Sequence, residues 1–599
     1  MSTQEIKLLS PLKQYFGFDS FRGEQQDIIE TVLNKKDCLV IMPTGGGKSI
    51  CFQLPSLLFE GVTLVISPLI ALMKDQVDGL SANGISAAYL NSSQSYDEQQ
   101  VVISKITERS LKLLYLAPES LPNFSHLLTS ELISCIAIDE AHCISSWGHD
   151  FRPSYQQLGF LKQKLGGVPI IALTATADKA TRQDILNQLR IPEARQFLSS
   201  FDRKNISLEV RPAEDRIKQI IAFVEKRSEE AGIVYCLSRK STEELASKLS
   251  AKGFKAKAYH AGLEFGVRSK IQEDFIYDKT QIICATVAFG MGIDKSNVRY
   301  VIHYNMPKNL EGYYQEIGRA GRDSLPSHAL LFHTFADVVQ LKRFIEDAPN
   351  AEMQIAKLDR MKQFADATSC RRRILLSYFG ELIAEDCGNC DVCKNPPEFF
   401  DGTTIAQKIL STIVRLNQTE PIGMVIDVMR GSKNQQVLEK SYEQIKTYGI
   451  TSNISQRDMQ HYVVHLINLG LCEISFHQGN SLKLTELAKK VLFDNQNVQL
   501  TKPVNKVEIT TKTKAKGETT NHQTGELFEQ LRKLRLQISK EEGIPPYLVF
   551  SDKTLRDIEN TLPMNEEEFL TVNGVGQRKL AVYGDRFIDL VVDFQKNKV

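Results

Sequence analysis

Along the first third of the chain, short runs of β-branched and aliphatic residues recur at 38–42, 62–67, 113–116, 135–138 and 170–173, each trailed by a segment of helical spacing. Apolar runs of this length, without the alternation of a half-solvated strand, suit a sheet covered on both faces, and interleaved helices make such a sheet parallel. A second series follows about residue 201, with strands expected at 233–236, 282–285 and 300–304 and a helix-length segment at 241–252. The pattern predicts two α/β domains in tandem, 1–205 and 206–335.

After about residue 335 the alternation stops. Helical periodicity from 338 to 379 runs into a cysteine-rich stretch and the breaker Asn395-Pro396-Pro397, which predicts a small helical metal module over 336–400. Between 401 and 503, three amphipathic helical stretches precede apolar residues 471–476, the turn pair Gly479-Asn480 and residues 482–484. Helices followed by a hairpin predict a winged helix, whose third helix starts at Ser455 with Asp458 three residues on, like a capping box. Residues 504–524 are polar, rich in Thr and Lys, and read as a flexible linker. Helical patterning then resumes over 525–599, expected to be a small all-helical domain.

Length and composition agree with this layout. At about 150 residues per domain, 599 residues give about four domains, and 42% hydrophobic with 24% charged residues exclude collagenous and wholly disordered classes. Lys and Arg total 73 against 72 Asp and Glu, so any nucleic-acid contact must be local. The longest apolar stretch, 61–73, is broken by Thr63, Ser67 and Pro68 and falls short of the ~20 residues of a membrane span. The first twelve residues lack the basic start and apolar run of a secretory signal, so a cytoplasmic, reducing home with no membrane partner is expected. Of eleven cysteines, Cys370, Cys387, Cys390 and Cys393 cluster; the other seven, Cys38, Cys135 and Cys284 among them, sit singly and read as small buried hydrophobes.

The strand at 38–42 leads into Pro43-Thr44-Gly45-Gly46-Gly47-Lys48-Ser49 and then an apolar helix from Ile50. Three glycines let backbone amides wrap a polyphosphate, Lys48 neutralises the outer phosphates and the Ser49 hydroxyl ligates Mg²⁺. The strict phosphate-loop pattern has Gly where this chain has Met42, but the amide-bearing turn and the Lys-Ser pair remain. Asp139-Glu140-Ala141-His142 ends the strand at 135–138 in the same domain, where Asp139 holds Mg²⁺ through water and Glu140 polarises the attacking water. The second α/β domain offers Gln315-Glu316-Ile317-Gly318-Arg319-Ala320-Gly321-Arg322. Arginines three apart share a helical face and are otherwise a surface salt-bridge pair; across a cleft they serve as arginine fingers on the γ-phosphate.

The ordered strings Gly17-Phe18-Asp19-Ser20-Phe21-Arg22 with Gln25, Thr44 to Ser49, Asp139 to His142, Thr174-Ala175-Thr176, Tyr259-His260-Ala261-Gly262, Gly290-Met291-Gly292-Ile293-Asp294 and Gln315 to Arg322 closely resemble the RecQ family of superfamily-two DNA helicases. The resemblance implies two RecA-like domains with ATP between them, Phe18 stacked on adenine, and Arg22 and Gln25 hydrogen-bonded to it. It also places Gly292, Asp294 and Gln315 at the nucleotide.

Residues 145–152, Ser-Ser-Trp-Gly-His-Asp-Phe-Arg, hold the chain's single Trp just after the carboxylates. Trp147 and Phe151 can stack bases while Arg152 meets phosphate, or the loop can be an apolar plug between domains. The first reading makes it a sensor of strand occupancy, with His142 in the relay and Thr174 and Thr176 linking hydrolysis to DNA. The spacing C-x16-C-x2-C-x2-C closes a four-thiolate site; structural Zn²⁺ is favoured over an iron–sulfur cluster, with Arg371, Arg372 or Arg373 exposed for phosphate contact. The winged helix lays Arg457, His461 and His465 toward a duplex, or docks a protein, and His477 lies near its hairpin tip. The terminal domain resembles the HRDC domain in 544–547 and 572–579: Gly574 and Gly576 can present amides to a phosphate or form a tight turn only, and Tyr547 and Lys579 are the candidates for single-strand binding.

The expectation is thus an α/β motor, an ATP- and Mg²⁺-dependent DNA helicase that moves 3′ to 5′ on single strands and unwinds duplexes in recombination and repair. An RNA helicase and a non-motor DNA-binding scaffold are the alternatives. Expected associates are single-stranded and duplex DNA, single-strand-binding protein and other repair proteins, for a monomer in the bacterial cytoplasm at the nucleoid.

Overall fold

The computed structural model describes residues 8–68, 70–91, 94–145, 152–287, 289, 295–346, 350–383, 385–502 and 525–596. Among these residues the first lobe has seven strands, β1 (Cys38–Ile41), β2 (Val62–Ile66), β3 (Ala87–Leu90), β4 (Leu113–Leu116), β5 (Ile133–Ile138), β6 (Ile170–Thr174) and β7 (Arg195–Leu198). They lie in the order β3-β4-β2-β5-β6-β1-β7, all parallel. The continuous apolar runs have their reason here: Leu39, Leu64 and Ile136 pack into one core, while Cys38, Val40, Val65 and Cys135 point into another on the opposite face.

The second lobe repeats the design with β8 (Ile206–Pro212), β9 (Ala231–Tyr235), β10 (Ala256–Tyr259), β11 (Ile282–Ala285), β12 (Val298–His303) and β13 (Ser327–His333), ordered β10-β11-β9-β12-β13-β8. Five strands were not anticipated: β3, β7, β8, β10 and β13. Four of these are the sheet edges, and an edge strand needs no two-sided apolar run; in β7 only Phe197 is buried.

The expected helical metal module is present and shares its core with the second lobe. Helices Phe335–Ile345, Ala351–Asp366 and Arg371–Tyr378 place Val338, Leu341, Leu358, Met361 and Ile374 in one core with Ile206 and Leu208. Leu208 also bridges Cys390 in parallel.

The next domain has the expected three helices, Thr403–Arg415, Ile422–Arg430 and Gln456–Asn468, and an antiparallel hairpin of β15 (Cys472–Ser475) with β16 (Ser481–Leu484). Ser455 Oγ accepts the Asp458 amide at 3.1 Å, the predicted cap. An unforeseen pair, β14 (Phe399–Asp401) with β17 (Gln499–Thr501), joins the two ends of this domain. Five helices from Glu526 to Lys596 form the terminal domain around Phe550, Phe569 and Phe587. Among the described residues no helix is long and apolar enough to cross a membrane.

Candidate functional site: a nucleotide cleft between the lobes

β1 delivers the phosphate loop to the mouth of the cleft. Gly45 and Gly47 take φ of +78° and +83°, and a Cβ on Gly47 would sit 2.4 Å from Gln25 Nε2, so the tight turn requires glycine there. Gln25 is buried and its amide donates to the carbonyls of Gly46 and Gly47, each at 3.2 Å, while its Oε1 accepts the Arg22 amide at 2.9 Å. In this structure, therefore, Gln25 braces the loop. The Arg22 guanidinium lies 5.6 Å from the centre of the Phe18 ring, and both border the cavity.

Lys48 Nζ donates to the Met42 carbonyl at 3.0 Å. Burial pushes its pKa down, Glu140 and Asp139 oppose that, and Arg322 and Arg203 reinforce it, so the ammonium feels both carboxylates and the opposite lobe.

At the end of β5, Glu140 adopts a left-handed backbone, φ +49°, and its amide is held by Asp139 Oδ1 at 3.0 Å. His142, 1% exposed, has Nδ1 3.3 Å from Glu140 Oε2 and 2.9 Å from Thr174 Oγ1. The Thr174 hydroxyl bonds in turn to the Thr176 carbonyl at 3.2 Å and accepts its amide at 3.3 Å. A buried polar chain thus joins the carboxylates to the turn after β6. Arg152 donates to the Pro68 carbonyl at 2.9 Å. Trp147, Phe151, Gly292 and Asp294 lie outside the described residues.

The second lobe closes the cavity with Gln315, Arg319 and Arg322, opposite Lys48, Ser49, Asp139 and Glu140; its volume is about 460 Å³. The lobes meet closely: a Cβ on Gly318 would lie 2.1 Å from Thr44 Oγ1, and one on Gly45 3.2 Å from Arg322 Cα.

Sequence reasoning missed Arg203, which sits in the connection between the lobes. Its Nη1 donates to the carbonyls of Thr44 and, at 3.3 Å, Gly318; its Nη2 donates to Ala320 at 3.0 Å and Gly321 at 2.8 Å. An arginine at a seam between two α/β patterns was the available signal.

In the metal module the four Sγ atoms of Cys370, Cys387, Cys390 and Cys393 all lie within 4.8 Å of one another. Cys387 and Cys393 are 3.9 Å apart, close to the ~3.8 Å that sulfurs about 2.3 Å from a tetrahedral zinc would keep. Backbone amides of Cys387, Asn389 and Cys393 point at the sulfurs of Cys370, Cys387 and Cys390, each at 3.4 Å, and so favour thiolates. The donor set fits zinc. The remaining seven cysteines are buried, as anticipated.

The arginines beside Cys370 are not exposed for phosphate, contrary to the sequence-based expectation. Arg371 and Arg372 are each 5% exposed. Arg371 makes a forked pair with Asp391 at 3.0 and 3.1 Å, Arg372 pairs with Asp202 at 2.9 Å, and Arg373 lies 3.2 Å from Asp386. Packing of the module onto the second lobe explains it: Arg371 and Arg372 are covered there and take internal partners.

In the winged helix Arg457 is exposed, but His465 is buried and bonds Thr501 Oγ1 at 3.2 Å, and His461 Nε2 is 3.0 Å from the Thr501 carbonyl. These two histidines secure β17. His477 at the hairpin reaches Asp178 of the first lobe at 3.3 Å.

The terminal domain docks on the motor. Gly574 donates its amide to the Gly17 carbonyl at 3.1 Å, and a Cβ on Gly576 would lie 2.9 Å from the Gln14 carbonyl oxygen. The Gly574 amide is thus spent on protein backbone in this pose, not offered to a phosphate. Tyr547 and Lys579 border the nucleotide cavity, and burial pushes Lys579 down to about 8.

Family models match the chain in order: DEAD/DEAH box helicase over 22–185, helicase conserved C-terminal domain over 214–324, RecQ zinc-binding over 335–394, RQC domain over 396–508 and HRDC domain over 525–591. Cleft and order together define a two-lobed helicase with accessory domains. The ATP-dependent DNA helicase RecQ of Haemophilus influenzae is 45% identical over 590 residues, 97% of this chain and 95% of the relative. That of Pasteurella multocida is 45% identical over 98% of this chain and 94% of the relative, and that of Bacillus subtilis 40% identical over 97% of each. The chain belongs to the RecQ helicase family, and its four-cysteine site is a zinc site.

Proposed function

We propose that ATP binds between the lobes and that its hydrolysis drives 3′-to-5′ movement along single-stranded DNA. As a RecQ-family member the chain is an ATP-dependent DNA helicase. The observation that carries the mechanism is one cavity bordered by Lys48, Ser49, Asp139 and Glu140 from one lobe and by Gln315, Arg319 and Arg322 from the other.

In this reading Lys48 leaves the Met42 carbonyl for the β- and γ-phosphates, and Phe18 with Arg22 receives the base. Ser49 and Asp139 would hold Mg²⁺, which spreads phosphate charge when bound. Glu140 orients the attacking water, and Arg319 and Arg322 stabilise charge on the γ-phosphate as its bond breaks. The chain Glu140–His142–Thr174–Thr176 positions Glu140 according to whether a strand lies against the Thr176 turn. Closure around ATP and opening after hydrolysis then move the lobes along the strand. Arg457 contacts the duplex, and Tyr547 and Lys579 hold single strand when the terminal domain leaves the motor. Action on chromosomal strands places the protein at the nucleoid beside single-strand-binding protein and other repair proteins.

Lys48→Ala tests this: ATP turnover and unwinding of a tailed duplex should vanish while binding of a single-stranded oligonucleotide persists. Retained unwinding would refute the phosphate-loop assignment.

A further inference from the structure

The connection between the lobes is held far more firmly than a hinge requires. Phe201 stacks on Phe379 with centroids 4.7 Å apart, its amide donates to Glu381 at 2.7 Å, and its carbonyl accepts the Tyr314 hydroxyl at 2.8 Å. Arg372 pairs with Asp202 and donates to the Arg203 carbonyl at 2.6 Å and to that of Ile206. Phe379, Glu381 and Arg372 all belong to the zinc region, and Arg372 lies in the helix Arg371–Tyr378 that begins at Cys370, a zinc ligand. The segment 201–206 is therefore fixed from the zinc side.

What it presents to the cleft is the Arg203 guanidinium, and the chemistry of its partners is unusual. Among the described residues no hydrogen-bond partner is a carboxylate: the two nitrogens are spent on carbonyls of Thr44 in the phosphate loop and of Gly318, Ala320 and Gly321 in the loop that carries Arg319 and Arg322. A planar fork can hold two backbones in a fixed register as a lysine cannot, and charge-assisted bonds of this kind are roughly twice as strong as neutral ones. Glycine at 318 and 45 allows the loops to come this close.

We propose that Arg203 is a positioning residue for ATP hydrolysis: it registers the arginine loop against the phosphate loop, and the zinc region, through Arg372, holds Arg203 in place. The zinc site then serves turnover as well as folding, because a loosened helix Arg371–Tyr378 releases the guanidinium that aligns both catalytic loops. This rests on the reading of Arg319 and Arg322 as the groups that meet the γ-phosphate.

The test uses the full-length chain and steady-state ATPase with saturating single-stranded DNA, beside binding of ADP and of the transition-state mimic ADP–aluminium fluoride. Arg203→Gln should lower kcat on the order of 10- to 100-fold, as misplacing a reacting geometry does. ADP affinity and zinc content should stay at wild-type values, and binding of the fluoride complex should weaken in parallel with kcat. Arg203→Lys should recover only part of the loss. Arg372→Gln, a variant outside the cleft, should shift kcat and the fluoride complex in the same direction with zinc still bound. A kcat within twofold of wild type for Arg203→Gln, or equal losses of ADP and fluoride-complex binding, would overturn the proposal. Arg322→Ala run alongside separates the two readings: if it too turns over normally, the arginine-finger assignment fails first.

Discussion

Gly45 and Gly47 in the phosphate loop and Gly574 in the terminal domain share a positive φ, +78°, +83° and +87°, and all three border the same cavity. In the first turn glycine opens a cradle beside Lys48 and Ser49; in the second a Cβ on Gly574 would strike Thr554 Oγ1 at 2.7 Å, and the Gly574 amide is bonded to the Gly17 carbonyl. The arginines divide in the same way. Arg319 and Arg322 border the cavity, whereas Arg371 and Arg372 bind carboxylates and carbonyls inside the protein. Residue type and spacing thus specify chemistry in the cleft, where several motifs converge, and at the four-cysteine cluster, whereas the single arginines and glycines of the accessory regions serve packing.

That contrast can be broken experimentally. After the complete loss expected of Lys48→Ala, the largest effect is expected at Arg322→Ala, which should cost on the order of 10³-fold in DNA-stimulated ATP turnover with ADP binding retained; the steady-state rate checks it. Next is Cys390→Ser, which removes one of four zinc ligands: metal content should fall, the region around Leu358 and Ile374 should become protease-sensitive, and ATPase should drop with it. Limited proteolysis beside zinc analysis reads this.

Gly574→Val should be milder. A side chain at φ +87°, with its Cβ 2.7 Å from Thr554 Oγ1, costs about 1–3 kcal/mol in the terminal domain. The thermal midpoint of that domain should fall, while nucleotide binding, which the Gly45–Gly47 turn carries, should persist.

The smallest effect concerns pH. Burial pushes His465 down to about 3, with His461 and Arg373 adding to it, whereas an unfolded histidine titrates near about 6.5. The folded form refuses the proton, so this contribution to stability is complete above about pH 6.5 and drains away as pH falls from there toward 3. His465→Gln should flatten the fall of the winged-helix melting temperature between pH 6.5 and 4; an unchanged slope would assign the acid sensitivity elsewhere.

Both sheets could be read from most of their central strands, because a two-sided core demands uninterrupted apolar runs such as Cys38–Ile41; the interior strand β13 escaped because Ser327, His328 and His333 bracket its short apolar run. The edges could not, since strands like Arg195–Leu198 face solvent and carry polar residues. The phosphate loop, the carboxylates and the four cysteines were readable because their chemistry is local in sequence. Arg203 was not, because its role exists only when Thr44 and Gly318, separated by 273 intervening residues, are brought together by folding into two lobes. Arg372 and His465 were read as surface contacts because partners distant in sequence, Asp202 and Thr501, leave no trace in their own neighbourhood.

The most direct test of the nucleotide cleft as a DNA-coupled motor is ATP hydrolysis by the purified full-length chain with and without a single-stranded oligonucleotide. Coupling through His142, Thr174 and Thr176 predicts stimulation on the order of tenfold or more, lost in Thr174→Val. Equal rates with and without the strand would contradict it.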